Sequence, residues 1–535
     1  MKSLHGLSQV LGFTPLVPVA AATLILLIYV LKLRDRTLYN LVLLVGSSLT
    51  AASTLVVLSE TIYGGFAWYC FGGWGAPLGI CYYADELSAY YAAVTSAVFT
   101  AVAVYAVWYS RHVKHTALLY VLLLLHLSGL LAVYYTVDLF NLFVSLELVG
   151  ITGYSLVSFY HYRAKALVAA ARYAVAGGLM TTFLLLGVLL IYTATGAVNI
   201  GVLGAKLSVA WSPPDQMGFF NKNLYADTSL VIIAIAMILW TALFISAIFP
   251  NHFWLPDAHS EAPVPVSAVL SGLTTAMGFY VLARIAYTVL AESVLAGFLS
   301  TLLPVIGFLG IVSVFYGAIM IGVEDDVKRI LAYSTILNNG YILMGLSQGT
   351  ALGIAASLYH ILNHAVGKAL AFLCIGYMVR RYRTRNIYAL EGAGRAQPIV
   401  GSVLAFALLH LIGVPPTSGF FGKFYLFKAF IDADNLAYAL VVIAGSVISA
   451  YGYIRVMEHT VYVSKPEIVG KEHLSIIVTI TLTTLSTVIL LLGIANQWVI
   501  DYLTYTASTL VLDSTVYIER IYGLCQSLLS TISYP

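Results

Sequence analysis

Runs of about twenty apolar residues recur along this 535-residue chain, separated by short charged or Gly/Pro-rich stretches, and a run of that length is what an α-helix needs to cross a bilayer. Fourteen such spans are expected, at approximately 13–31, 38–62, 85–109, 116–136, 138–159, 166–192, 228–258, 264–290, 296–321, 327–347, 352–379, 397–432, 434–462 and 473–495. The composition, 61% hydrophobic and 9% charged against about 25% charged in soluble domains, leaves an all-α polytopic membrane protein as the fold class. Spans seven and twelve are too long for plain helices. They carry internal breaks at Ile248-Phe249-Pro250 and Gly413-Val414-Pro415.

Positive charge sets an expected orientation. Lys32, Arg34, Arg36, Arg111, Lys114, Arg163, Lys165, Lys328, Arg329, Arg380, Arg381, Arg383, Arg385, Arg395, Lys465 and Lys471 all fall in alternate loops. The opposite loops hold Lys2, Lys206, Lys222 and Arg520, so the positive-inside rule places both termini on the outer side of the plasma membrane. Loop 63–84, rich in glycine and aromatics, is then external and able to fold over the bundle, and 496–535 reads as an external or interfacial helix, with a fifteenth span as the alternative. A formal net charge of +3 over this length gives no case for nucleic acid as a partner. The four cysteines show no CxxC spacing, so no metal or redox centre is expected, although Cys70 and Cys81 share one loop and are able to pair. A single Lys2 ahead of a polar lead-in and a full-length span argues against a cleaved signal peptide.

Against this apolar background, His360, His364 and Lys368 stand out. Their spacing of four drifts only about 40° per step and climbs roughly 12 Å, making a ladder on one helical face. A lysine deep in such a helix costs about 2.5 to 3.5 kcal/mol to insert, and an intramembrane ionisable group is by default part of a proton or ion path. The structural alternative is a satisfied polar patch that holds helices together. Lys423 at the second break and His410 just before it extend the set, though a lone histidine on an apolar helix is as readily a hydrogen-bonded core residue. Glu147 lies mid-span, where burial disfavours the charged form unless a cation pairs with it. Arg172 is placed to partner a carboxylate or to reach the positive side. Asp257, His259 and Glu261 flank the first break near the inner surface; their spacing suits capping or a wet entrance better than a metal site. Asp325 or Asp326 reads as a helix cap.

Two five-span blocks, 113–292 and 293–463, echo each other around the two breaks, after an N-terminal unit 1–112 and before a C-terminal unit 464–535. Five is odd, so the second block is expected to sit inverted relative to the first, the arrangement by which many transporters place ion sites near the midplane.

Several motifs together resemble one family. They are Gly72-Gly73-Trp74 with Pro77, Asp85 and Leu87-Ser88-Ala89; Asp138-Leu139-Phe140-Asn141-Leu142-Phe143 with Glu147; Phe253-Trp254-Leu255-Pro256-Asp257-Ala258; Lys328-Arg329-Ile330-Leu331-Ala332-Tyr333-Ser334-Thr335; Asn363-His364-Ala365 with Lys368; and Pro415-Pro416-Thr417-Ser418-Gly419-Phe420-Phe421-Gly422-Lys423. Over residues 70–460 the chain looks like the antiporter-like subunits shared by respiratory complex I, Mrp-type cation/proton antiporters and membrane-bound hydrogenases. The resemblance implies translocation of protons or sodium ions within a multisubunit complex, with other membrane subunits and in some branches a peripheral redox module as partners, and no cofactor on this chain. It implies that Glu147 is the carboxylate of a first half-channel, that His360, His364 and Lys368 form the central relay, and that Lys423 is the terminal lysine.

One departure bears on that assignment. The family usually has a lysine where this chain has Ile245, and many relatives have one where it has Ala276. Glu147 therefore lacks its expected partner, and the expectation is that the second block conducts while the first is silent or rewired. The alternatives are a non-conducting spacer of a membrane arm and a membrane partner in inorganic-carbon uptake.

Overall fold

The computed structural model describes residues 4–33, 35–76, 78–209, 228–463, 474–511 and 513–532. Lys2, Arg34, Lys222, Lys465 and Lys471 of the charge pattern, and Pro77, lie outside the described residues. The bundle begins with α1 (Leu16–Val30) and α2 (Arg36–Gly64), followed by a hairpin of β1 (Ala67–Cys70) and β2 (Cys81–Ala84). Next come α3 (Glu86–Tyr109), α4 (Thr116–Tyr135), α5 (Leu139–Val157), α6 (Ala164–Thr195), α7 (Thr228–Ile245) and the short α8 (Trp254–Glu261). A helix with two π-helical stretches, α9 (Val264–Leu290), leads to α10 (Ala296–Val323), α11 (Val327–Ser347) and α12 (Ala351–Tyr382). The chain closes with α13 (Pro398–Ile412), α14 (Ser418–Asp432), α15 (Leu436–Met457), α16 (Ile476–Ile494), α17 (Asn496–Thr506) and α18 (Ser514–Ile532).

Twelve of the fourteen expected spans are single helices long and apolar enough to cross a membrane. The other two are helical but differ for stated reasons. Lys328, Arg329, Asn338 and Asn339 lower the hydropathy of α11, and the twelfth is divided between α13 and α14. The span expected at 228–258 likewise stops at Ile245 and resumes at Trp254. Among the described residues of 496–535 no membrane-length apolar helix arises.

Acidic residues at span starts act as caps. The Asp85 carboxylate accepts from the Ser88 N–H in a reciprocal capping box, Asp138 from Asn141, and Asp326 from the N–H groups of Lys328 and Arg329. Depth is equally ordered. The most apolar windows of α9 and α12 are 100% and 94% buried inside the protein against 33% for α2, so α9 and α12 form the centre and α2 the rim. Polar groups on α12 therefore face protein rather than lipid.

The hairpin covers one end of the bundle. Cys70 pairs with Cys81 across its register and is disulfide-bonded to it. Helix α18 packs against the same end, with Tyr517 edge-on to Tyr83 and the Arg520 guanidinium donating to the Gly65 carbonyl at 3.0 Å. The opposite end gathers Lys114, Arg163, Lys328, Arg380, Arg383 and Arg385 around one cavity. Closing an 11-residue separation by a disulfide removes chain entropy from the unfolded state, so Cys70→Ser with Cys81→Ser should cost about 2 to 3 kcal/mol. Thermal unfolding of the detergent-solubilised protein, with and without reductant, checks this; a reductant-insensitive melt of the unmodified protein would contradict it.

Candidate ion path

Both helix breaks are closed by protein rather than left to lipid, as a membrane interior requires. At the first, the Asn339 amide on α11 donates to the Ser246 carbonyl at 2.7 Å, Trp254 Nε1 donates to the Phe244 carbonyl at 3.2 Å, and the Phe249 N–H donates to Ser313 at 3.0 Å. At the second, Gly413 takes a left-handed conformation (φ 92°) that ends α13, and a Cβ there would lie 3.1 Å from Lys423 Cδ. The Lys423 ammonium donates to the carbonyls of Leu411 and Ile412 at 3.0 and 2.9 Å. Those are the last, otherwise unpaired carbonyls of α13, where the helix dipole favours a cation.

The ladder on α12 faces a second ladder on α11. His360 Nε2 meets Asn338 Oδ1 at 3.1 Å, and Lys368 donates to the Leu331 carbonyl at 2.7 Å and to the Ser334 hydroxyl, which itself pairs with Tyr453. Leu331, Ser334 and Asn338 recur at the three-and-four spacing that aligns one helical face. Lys368 is 0% exposed and has no carboxylate within ion-pair distance among the described residues. It is a buried amine held by neutral oxygens.

Around it runs a file of buried polar atoms without a hydrogen-bond partner among the described residues. Both ring nitrogens of His259, Nε2 of His364, Nδ1 of His360 and both amide atoms of Asn363 belong to it, and Oδ1 of Asn339 at the first break and the Ser418 hydroxyl at the second are likewise unpartnered. His364 stands within electrostatic reach of Lys368, His360, His410 and His259. Buried polar groups are rarely left unsatisfied, so such a concentration marks a place suited to water.

Other expected residues take different places. His259, expected near the surface with Asp257 and Glu261, is fully buried beside Phe372. Two residues along a helix turn the side chain by about 200°, which separates it from Asp257. Asp257 accepts from Arg172 at 2.6 Å and from Arg329 at 2.7 Å, and Arg329 also meets Glu324 at 2.8 Å. Arg172 is therefore bound to Asp257 and is not a partner of Glu147. Burial alone would raise the Glu324 pKa, but the Asp326 N–H, Arg329 and the Asp325 N–H hold it below the usual carboxylate range. His410 has both nitrogens engaged by backbone, Nδ1 accepting from the Gly419 N–H at 3.1 Å and Nε2 lying 3.0 Å from the Asn363 carbonyl. It clasps the second break and keeps no free ring site.

Glu147 is half-buried on α5, on the same face as exposed Phe140, Val144 and Ile151, with no hydrogen bond or ion pair among the described residues. Tyr154, further along α5, lies within electrostatic reach of it. A small cavity beside the neighbouring Leu146, of about 20 Å³, is lined by apolar Met180, Phe244, Ile245 and Met277 and by the hydroxyl-bearing Tyr154, Tyr173, Thr181, Thr241 and Thr274. Sequence reasoning missed His126, which bridges Thr152 and Thr274 at 2.9 and 2.8 Å. It also missed the buried Arg284, whose two hydrogen bonds to Asp85 are both 2.7 Å.

The chain is similar to known proteins over most of its length. The family profile described as "NADH:quinone oxidoreductase/Mrp antiporter, TM" matches residues 136–449. The NADH-quinone oxidoreductase subunit N of Desulforudis audaxviator is 34% identical over 419 residues, covering 78% of this chain and 80% of that protein. A Na(+)/H(+) antiporter subunit of Alkalihalophilus pseudofirmus is 28% identical, covering 84% and 87% respectively. Among solved structures, a chain of the archaeal membrane-bound sulfane sulfur reductase superposes with a TM-score of 0.85 at 26% identity, covering 96% of this chain and 100% of that one.

Proposed function

Because the chain belongs to the membrane-subunit family of NADH:quinone oxidoreductases and Mrp antiporters, we propose that it moves protons across the membrane as one subunit of a multisubunit complex, using its second helical block. The observation that carries this reading is Lys368. It is a fully buried amine without an acid, set in a file of imidazole and amide groups that lack partners. A structural lysine would be expected to have a carboxylate, since burying an unpaired charge is costly. An amine that alternately binds and releases a proton needs only neutral acceptors and water.

The relay runs from His259 through Lys368, His364 and His360 to Lys423. Protons rather than sodium ions fit this set. A metal cation prefers a cage of oxygen ligands and is repelled by ammonium groups, whereas amines and imidazoles exchange protons directly. His410 holds the backbone of the second break and stands outside the relay. The first block is silent, because Glu147 has no cationic partner among the described residues and apolar Ile245 stands at the first break.

The blocks 113–292 and 293–463 are taken as the two inverted repeats, with the breaks after Ile245 and Ile412 as counterparts. The termini are placed outside. Support comes from the clustering of loop cations at one end of the bundle and from a disulfide-bonded hairpin at the other, since disulfides persist in oxidising compartments.

Proton flux in vesicles carrying the native complex tests the assignment. Glu147→Gln should keep at least about half of the flux, whereas Lys423→Met should lower it by about tenfold or more, equivalent to roughly 1.4 kcal/mol on the barrier. Loss of flux in Glu147→Gln with retention in Lys423→Met would reverse the roles of the two blocks.

A further inference from the structure

At the cation-rich end of the bundle a cavity of about 1120 Å³ opens between the ends of α3, α8, α11 and α12 and the loops beside them. Six lysine and arginine side chains line it, with His115 and His161, against the single carboxylate of Glu261. Half of the lysines and arginines are already engaged. Lys328 donates to the carbonyls of Ala262 and Ser260 at 2.6 and 3.3 Å, and Arg385 meets Glu261 and Asp326, each at 3.0 Å. Arg380 donates to the Tyr109 carbonyl and lies over the rings of Trp108 and Tyr109 at 4.7 and 5.1 Å.

The other three, Lys114, Arg163 and Arg383, have no carboxylate within ion-pair distance among the described residues. Arg163 is steadied by the rings of Tyr160 and Tyr162, at 4.8 and 5.6 Å from its guanidinium carbon. Arg383 adds an independent observation. It ends α12 in the left-handed conformation, φ 55°, where glycine is the residue that fits at least cost. An arginine held there, with its side chain on the cavity, points to use of the guanidinium rather than to backbone need.

We propose that this cavity binds a phosphate group, with Lys114, Arg163 and Arg383 as its ligands. Unpaired cations gathered around one space repel each other until an anion joins them, and guanidinium forks match the oxygens of phosphate in paired hydrogen bonds. The engaged residues Lys328, Arg380 and Arg385 form a fixed wall that adds positive potential without having to move. The phosphate can come from solution or from the headgroup of an anionic phospholipid, and the chemistry of recognition is the same. The proposal stands apart from the conduction reading and holds whether or not the second block carries protons.

Two arms test it on the purified full-length chain in detergent. Isothermal titration with inorganic phosphate, at ionic strength held constant with chloride, should give saturable binding. Native mass spectrometry after delipidation should show retention of added phosphatidylglycerol over phosphatidylcholine if the headgroup is the source. Saturation by phosphate without lipid retention identifies the free anion, and lipid retention alone identifies the headgroup. Arg163→Gln combined with Arg383→Gln should weaken whichever binding is seen by about tenfold or more. Arg383→Gly keeps the left-handed backbone, so it should fold normally and still bind more weakly than the unmodified chain. Unchanged affinity in folded Arg383→Gly and in the double variant overturns the proposal, and so does absence of binding in both arms.

Discussion

Lys368→Met is expected to abolish proton flux while leaving the protein as stable as before, or more so. The two halves of that result have one physical origin. Methionine fills nearly the volume of the lysine stem without the ammonium, so packing against Leu331 and Ser334 on α11 survives. Ser334 keeps its bond to Tyr453, and the Leu331 carbonyl keeps an acceptor role toward the Thr335 hydroxyl at 3.1 Å. No new orphaned group of consequence is created, and the cost of holding an amine in an apolar interior is removed. Conduction, in contrast, loses its central station. If the gap raises the transfer barrier by only about 3 kcal/mol, flux falls by about a hundredfold. A lysine retained for stability predicts the opposite pattern, with a lower melting temperature and flux reduced only in proportion to unfolded protein. Thermal melts and dye-based flux on the same preparation separate the two, and a destabilised but conducting Lys368→Met protein ends the relay assignment.

What can be read from the sequence follows from which interactions are local. Spans, caps and breaks are local properties of apolar runs, of Asp ahead of a helix and of Pro within one, so α1 to α16 lie close to where periodicity places them. The ladder His360, His364 and Lys368 is legible because polar residues four apart must share a helical face. Its neighbour His259 is buried rather than at the surface, and the same geometry applied to a spacing of two separates it from Asp257. Groups that close a break come from far along the chain. Asn339 reaches the Ser246 carbonyl across 93 positions, and no spacing rule connects them. The hairpin reads in sequence only as a loop; its residues Trp68-Tyr69-Cys70 and Cys81-Tyr82-Tyr83 are aromatic enough to suggest strands, but a four-residue strand is too short to declare itself by alternation. That Glu147 is only half-buried is a property of how α5 packs, which a single helix does not encode.

Arg284→Gln should cost about 3 to 5 kcal/mol of stability, more than loss of the disulfide, of Lys368 or of Lys423, for reasons that also lie beyond the reach of spacing arguments. Arg284 sits at the start of the second π-helical stretch of α9, 4% exposed, and both of its hydrogen bonds to Asp85, at 2.7 Å, run to a residue 199 positions earlier that is 1% exposed. The glutamine variant leaves the Asp85 carboxylate buried with its cap bonds to Ser88 and no cation. Removing one member of a buried pair costs more than the pair contributes, because the survivor is left unsolvated. The guanidinium also lies over the rings of Tyr280 and Tyr517 at 5.4 and 5.1 Å, so its loss loosens α18 and the hairpin together. Against a total stability of about 5 to 15 kcal/mol, the variant should melt far below the unmodified protein and expose α18 to protease first. Asp85→Asn should cost less, since an asparagine still caps α3 and accepts one bond from Arg284. A double replacement, Asp85→Asn with Arg284→Met, removes both charges and should recover part of the loss. If the double variant is less stable than Arg284→Gln alone, the pair is not the source of the destabilisation, and the aromatic contacts to Tyr280 and Tyr517 carry it instead.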